Sequence, residues 1–234
     1  MDDVTLGDLT DLTGTLALAG PRTGAVLAEL GVGNFEEMPL FAHQRVTIAQ
    51  IRCGVVRREL AGKTAASFVA GREQLSDLWR ELAERVRTHG GAPAGVEAWN
   101  SIRLENGIPW FGADYDDKQI PHEAGVELSH ISYEKGCYTG QEIVERVRSR
   151  GHVNRRLTEL RFLADAAPAP GSKLLLDGNE IGSVTSTAFS PTLGQPIGLG
   201  YLRREHSTIG TRMDASGIPA EVISPPLLMR KTSA

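Results

Sequence analysis

The sequence has few cysteines, no long apolar run and no strong excess of one charge. No apolar stretch is long enough to cross a membrane as a helix. The opening residues, MDDVTLGDLTDLTG, show neither the basic start nor the apolar core of a signal peptide. The only cysteines, Cys53 and Cys137, cannot form a disulfide framework. These absences predict a protein of the reducing cytoplasm with no membrane partner.

The charge and composition indicate an ordinary globular protein. A net charge of −4 and a pI of about 5.9 give no reason to expect nucleic acid as a partner. Metal-ligand spacings such as CxxC or HExxH are absent, and the six histidines are scattered, so no metal site is expected. The chain of 234 residues is long enough for two domains with separate cores.

The first part of the sequence predicts alternating strands and helices. In order, these are a strand in 14–20, a helix in 21–31, strands in 45–56 and 64–71, a helix in 72–91 and a last strand within 94–107. The helix in 72–91 is the clearest, because Leu75, Leu78 and Leu82 share one face. This order is that of the split β-α-β unit of ferredoxin-like folds. We therefore expect an α+β protein with a ferredoxin-like core over 14–105.

The second part of the sequence has the pattern of a small β-barrel or sandwich. From Leu157 onward, short apolar runs alternate with Gly and Pro. Asp177-Gly178 is a hairpin signal, although its spacing to the next apolar residue leaves the turn type open. We expect a domain over 1–152, followed by a C-terminal β-barrel domain over 153–234.

Cys137 lies in the segment YEKGCYTGQEIVERVRSRG, residues 133–151, just before a predicted helix. Thr139 and Glu142 have the spacing of a capping box, and Gly151 ends the helix. A helix N-terminus and the neighbouring Lys135 would both favour a thiolate. Free cysteines are, however, most often small buried apolar residues. The local pattern leaves both interpretations open for Cys137.

Ile143, Val144 and Val147 lie on one side of that predicted helix, and this apolar side is predicted to be buried. Cys53, in contrast, lies within an apolar strand pattern and is predicted to belong to the core.

Four segments resemble those of a known family. KGCYTGQE (135–142) closely resembles the signature of the YgfZ-type folate-binding proteins, which share the fold family of the glycine-cleavage aminomethyltransferase, the T-protein. The segments at 103–126, 151–157 and 181–202 resemble, in the same order, the R-x-E region, the stretch after the signature helix and the C-terminal barrel of that family. The resemblance covers most of the chain.

The resemblance implies a tetrahydrofolate-binding accessory protein rather than an enzyme with its own catalytic cycle. Such proteins support the assembly or repair of iron–sulfur enzymes, which would be the partners, and Cys137 would make a transient contact with sulfur or a cluster. T-proteins have a K-x-D-F-x-G pattern where this chain has Cys137 and Tyr138. The alternatives are a folate-dependent aminomethyltransferase or methyltransferase, and a truncated member without function.

The resemblance also implies roles for individual residues. Glu105 would accept two N–H bonds from a pterin, since a carboxylate suits such a bidentate pairing. Arg103 could pair with Glu105 across a strand face, and Asp114 could line the folate opening or form a plain turn. The reactive-loop residues would be Lys135, Cys137 and Tyr138. The further folate contacts would be Gly136, Gln141, Arg148 and Arg156, where the arginines would bind the anionic tail or simply be solvated.

One feature departs from the family pattern. Family members normally begin with a further segment, which contains a strand, a helix and an acidic residue used in folate binding. This chain begins with DDVTLGDLTDLTGTLALAGPRTG, which resembles the interior of a family member. We expect the ring of domains around folate to be incomplete, and an exposed apolar surface to result.

Overall fold

The structure is a computed structural model that describes residues 3–60 and 63–224. The end of the predicted barrel domain, 225–234, lies outside the described residues. The chain forms two compact units, Met1–Ala94 and Gly95–Ala234, which are described separately below. The domain boundary between 152 and 153 stays a prediction. None of the described helices is both long and apolar enough to span a membrane.

The first unit contains a four-stranded antiparallel sheet. Its strands are β1 (Thr13–Ala19), β2 (His43–Ile48), β3 (Ile51–Leu60) and β4 (Lys63–Gly71), in the spatial order β1-β4-β3-β2. Helices α1 (Thr23–Glu29) and α2 (Leu75–Thr88) bury Leu27 and Leu78 in a core with Phe68 of the sheet. Cys53 is buried in the same core, as predicted, and burial raises the pKa of its thiol.

The predicted strand over 45–56 is two strands joined by a tight turn. Ile48 pairs with Ile51, so Ala49 and Gln50 form a two-residue loop, and their φ angles are 45° and 70°. A loop with both φ angles positive is the type I′ geometry that usually selects Asn and Gly. The alternation of apolar residues breaks near Gln50 and indicated only an irregularity in one strand, because Ala and Gln are not the residues that mark such a turn.

The predicted strand within 94–107 is a helix instead. Helix α3 (Val96–Glu105) begins after Gly95 and is followed by Gly107, whose φ is 63°. It contains neither Gly nor Pro, and Leu104 is buried. The fourth strand of the sheet therefore comes from the hairpin at 48–51, and α3 belongs to the second unit. The α+β class with a C-terminal barrel is confirmed, although the elements do not follow the expected ferredoxin-like order.

Three further helices follow in the second unit: α4 (Pro121–Ala124), α5 (Glu127–His130) and α6 (Gln141–Arg150). The capping box predicted for α6 is wrong, because its N-cap is Gly140, at φ 88°, with no side-chain cap. Ile143, predicted to be buried, is 55% exposed, whereas Val144 is buried. Gly151 ends the helix with a φ of 77°, as expected for a left-handed C-terminal position.

The second unit also contains six antiparallel strands, namely β5 (Arg155–Phe162), β6 (Lys173–Leu176), β7 (Asn179–Ser190), β8 (Gln195–Arg203), β9 (Arg212–Ala215) and β10 (Ile218–Ser224). They close into a barrel in the order β10-β5-β8-β7-β6-β9. Leu160, Phe162 and Leu174 are completely buried inside it. Gly182 is required where β7 meets β8, because a Cβ there would collide with the carbonyl oxygen of Tyr201.

The hairpin signal at Asp177-Gly178 is confirmed, and its turn type is now clear. Leu176 pairs with Asn179 across the turn. The φ angles of Asp177 and Gly178 are 52° and 80°, so both loop residues have the positive values of a type I′ turn.

These two turns generate a prediction about stability. The double substitution Ala49→Asn and Gln50→Gly should raise the free energy of unfolding by about 1–2 kcal/mol, since non-glycine residues at positive φ are strained. Urea unfolding at equilibrium measures the change. The reverse change, Asp177→Ala with Gly178→Gln, should lower the free energy of unfolding. Similar effects of both double variants would contradict the assigned turn geometry.

Candidate functional site

Glu105, the last residue of α3, is held by the connection between β7 and β8. Its Oε1 accepts a hydrogen bond of 2.5 Å from the Ser190 hydroxyl and one of 2.9 Å from the backbone N–H of Thr192. The Ser190 hydroxyl is itself completely buried and accepts a bond of 3.0 Å from the N–H of Leu193. The carboxylate therefore has a fixed position at the end of the helix.

The same contacts set the ionisation of Glu105. Burial raises the pKa of its carboxyl, but the hydrogen bonds from Ser190 and Thr192 lower it more, and the net shift is downward. Glu105 is therefore charged at neutral pH. A carboxylate has about four acceptor positions, two on each oxygen. Both internal bonds fall on Oε1, so the acceptor positions of Oε2 are the ones left for N–H groups of a ligand.

Arg103 and Asp114 form a buried ion pair. Both residues are 2% exposed, and a guanidinium N–H of Arg103 donates to Oδ2 of Asp114. Asp114 also accepts bonds from the Thr185 hydroxyl at 2.5 Å and from the N–H of Trp110 at 2.9 Å. The predicted pairing of Arg103 with Glu105 is therefore wrong. Residues two apart lie on different faces of a helix, and α3 is a helix rather than a strand.

Cys137 lies at the surface, so the alternative of a buried apolar filler is excluded. Its side chain is exposed, and the residues Lys135 and Gly136 before it are exposed as well. The Lys135 ammonium lies 4.7 Å from the centre of the Tyr138 ring, a cation–π contact. The Tyr138 hydroxyl is buried without a hydrogen-bond partner in the part of the chain that the structure describes. The thiol is thus accessible, in a loop where Lys135 contacts the ring of the partly buried Tyr138.

The remaining predicted contacts lie on α6 and β5. Gln141 is the first residue of α6 and is partly buried. The Arg148 guanidinium lies 4.3 Å from the centre of the Tyr133 ring and 3.5 Å from Glu145. Arg156, on β5, is partly buried. The Arg148 side chain thus contacts Tyr133 and Glu145. The folate contacts predicted for Gln141, Arg148 and Arg156 stay predictions.

Several polar residues of the site were not singled out by the sequence pattern. Ser190 and Thr192 fix Glu105, and a Ser-Pro pair at 190–191 is a turn signal that could have indicated them. Near the Cys137 loop, Nε2 of His122 lies 3.0 Å from the Tyr133 hydroxyl. Burial and Glu127 raise the pKa of Tyr133, whereas Arg148 opposes the shift. No sequence motif marks this second group, because it forms only when separate segments meet.

Two family domains match the chain. The GCVT N-terminal domain matches residues 1–131, and the glycine cleavage T-protein C-terminal barrel domain matches residues 155–228. The α+β class with a C-terminal closed barrel agrees with this assignment. The chain belongs to the glycine-cleavage T-protein family, and the wider resemblance drawn from the sequence is confirmed.

The curated relatives are named as transferases, and most of them as aminomethyltransferases. An aminomethyltransferase of Thermoanaerobacter pseudethanolicus is 27% identical over 213 residues, which cover 91% of this chain and 57% of the relative. One from Halalkalibacterium halodurans is 29% identical over 214 residues, with coverages of 91% and 58%. A putative chloroplastic transferase of Arabidopsis thaliana is 29% identical over 225 residues, with coverages of 94% and 50%.

A solved structure has a similar fold. The glycine cleavage system aminomethyltransferase T of Bartonella henselae superposes with a TM-score of 0.75 at 25% identity, covering 92% of this chain and 59% of that one. The chain therefore spans between half and three fifths of the length of these relatives. The finer YgfZ assignment stays a prediction.

The buried ion pair generates a stability prediction. Arg103→Ala and Asp114→Ala should each lower the free energy of unfolding by about 3–5 kcal/mol, since either leaves an uncompensated buried charge. As a control, Arg80→Ala removes an exposed pair with Asp77 at 3.0 Å and should cost less than about 1 kcal/mol. Denaturant unfolding measures all three. Equal small losses would show that Arg103 and Asp114 are solvated.

Proposed function

We propose that the chain binds tetrahydrofolate and takes part in folate-dependent one-carbon transfer of the aminomethyltransferase type. The observation that carries this proposal is the fixed, ionised carboxylate of Glu105 at the end of α3. The names of the relatives support the transferase interpretation better than the accessory one, and they do not support the expectation that the chain is not an enzyme.

The pterin of tetrahydrofolate presents a 2-amino group and a ring N–H on one edge. A carboxylate can accept both of these hydrogen bonds at once, and charge-assisted bonds are stronger than neutral ones. Because Ser190 and Thr192 already hold Glu105, ligand binding does not have to order its side chain. Glu105 would orient the pterin, while Arg103 and Asp114 act indirectly by fixing α3.

A second function is favoured by one specific observation, the exposed thiol of Cys137. In this alternative the protein binds tetrahydrofolate and supports iron–sulfur enzymes, and the cluster is cargo on its way to a client. A four-iron cluster needs four ligands, so a single cysteine could hold it only together with a partner or small thiols. In the sequence Lys135 and Tyr138 lie on either side of Cys137, and their side chains contact each other. Both functions require tetrahydrofolate binding.

The first test is a calorimetric titration of the folded chain with tetrahydrofolate. Glu105→Ala should raise the dissociation constant about tenfold or more, the loss expected for a hydrogen bond to a charged group. Ser190→Ala is the matched control, because it removes one anchor and keeps the carboxylate. Saturable binding that Glu105→Ala leaves unchanged would overturn the role of Glu105, and no binding to folded protein would overturn the proposal.

The pH dependence of that affinity follows from the lowered pKa of Glu105. A carboxylate whose pKa lies below the ordinary 4.5 keeps its charge until the pH falls below that value. The contribution of Glu105 should therefore be fully present above about pH 5 and be lost as the pH falls further. Equal dissociation constants at pH 6 and pH 8 are expected for this group. A tenfold weakening between these values would contradict the assignment.

Substitution of Cys137 separates the two functions. Cys137→Ala should leave tetrahydrofolate affinity unchanged, since Glu105 holds the pterin. Formation of methylene-tetrahydrofolate from an aminomethyl donor is measured for the parent chain and for Cys137→Asp, which restores the T-protein residue. Turnover by the parent chain supports transfer. Its absence, together with loss of iron–sulfur enzyme activity in a dependent host carrying Cys137→Ala, would favour the accessory function instead.

A further inference from the structure

The second unit contains an open groove that the proposed folate chemistry does not use. Its volume is about 620 Å³, and it lies where β5 and the 3-10 turn after β8 approach α4. Three arginines line it, namely Arg155, Arg203 and Arg204, together with Glu123 and Glu205. Neither Glu105 nor Cys137 is among its lining residues. The groove is therefore a separate candidate site.

The barrel register brings two of these arginines together. Arg155 on β5 is the direct partner of Arg203 on β8. Like charges placed directly opposite each other across neighbouring strands destabilise a sheet. The adjacent Arg204 is held close by, because its backbone N–H donates to the carbonyl oxygen of Asn154 at 3.0 Å. Three guanidinium groups thus originate from one end of the β5–β8 pair.

The acidic residues of the groove neutralise only part of this charge. Arg155 donates to Glu123 at 3.2 Å, and its guanidinium lies 5.2 Å from the centre of the buried Tyr201 ring, so its position is fixed. Glu205 lies 4.0 Å from His206. The side chains of Arg203 and Arg204 are exposed, and within the described residues they form no ion pair or hydrogen bond.

We infer that this groove binds a small ligand carrying two or more oxyanion groups, carboxylates or phosphates. The planar guanidinium fork matches both kinds of group in a bidentate manner, which a lysine would not do. An oxyanion bound between Arg203 and Arg204 would also relieve the repulsion between Arg155 and Arg203. The inference is independent of folate binding, because the groove and Glu105 share no residue.

The test compares two probes, tripolyphosphate and γ-linked triglutamate, by calorimetry at low salt. One probe or both should bind the parent chain with a stoichiometry of one. The double variant Arg203→Ala with Arg204→Ala should weaken that binding at least about tenfold. Arg203→Lys with Arg204→Lys keeps the charge and should give an intermediate loss, since the forks are removed. The probe that binds more tightly identifies the source of the oxyanions.

The matched control is Arg45→Ala with Arg52→Ala, which removes the same charge from two exposed positions on β2 and β3. This control should bind the probes as the parent chain does. Thermal unfolding provides a second readout: the bound probe should raise the melting temperature of the parent chain and of the control, but not of the Arg203/Arg204 variant. Equal weakening in both double variants, or no saturable binding of either probe, would overturn the inference.

Discussion

The arrangement of the second unit depends on the buried ion pair between Arg103 and Asp114. Removing two charges from water is costly, and the cost is offset only when good geometry and further hydrogen bonds satisfy both groups. Here the Thr185 hydroxyl and the N–H of Trp110 also donate hydrogen bonds to Asp114. On the other side of the pair, Asn100 accepts a hydrogen bond of 2.8 Å from Nε of Arg103. The pair therefore links helix α3, the loop after it and strand β7.

Two further bonds join α3 to β7 and extend this link along the strand. Asn100 donates to the carbonyl oxygen of Thr187 at 3.0 Å, and Glu105 accepts from Ser190 at the strand end. Together with the bond from Thr185, they hold the helix in one register against the barrel. That register places the Glu105 carboxylate beside the β7–β8 connection, where it is fixed and charged. The binding chemistry thus derives from how a helix docks on a barrel.

The second unit presents three chemically distinct features on this framework. Glu105 offers a carboxylate suited to paired N–H donors, the Cys137 loop offers an exposed thiol, and the arginine groove offers guanidinium forks. The first feature is the one on which the proposed binding of tetrahydrofolate rests. The exposed thiol of Cys137 and the groove are described from this chain's own residues.

The sequence by itself determined the fold class, part of the core and the turns that have their usual residues. Leu78, Cys53 and the Asp177-Gly178 hairpin could be predicted, because periodicity and turn chemistry are local properties. The tertiary structure alone decided that Val96–Glu105 is a helix and that Ala49-Gln50 is a turn. It also decided the partners of Arg103, Glu105 and Arg203. These contacts join residues from distant parts of the chain, and local sequence carries no signal for which side chains packing brings together.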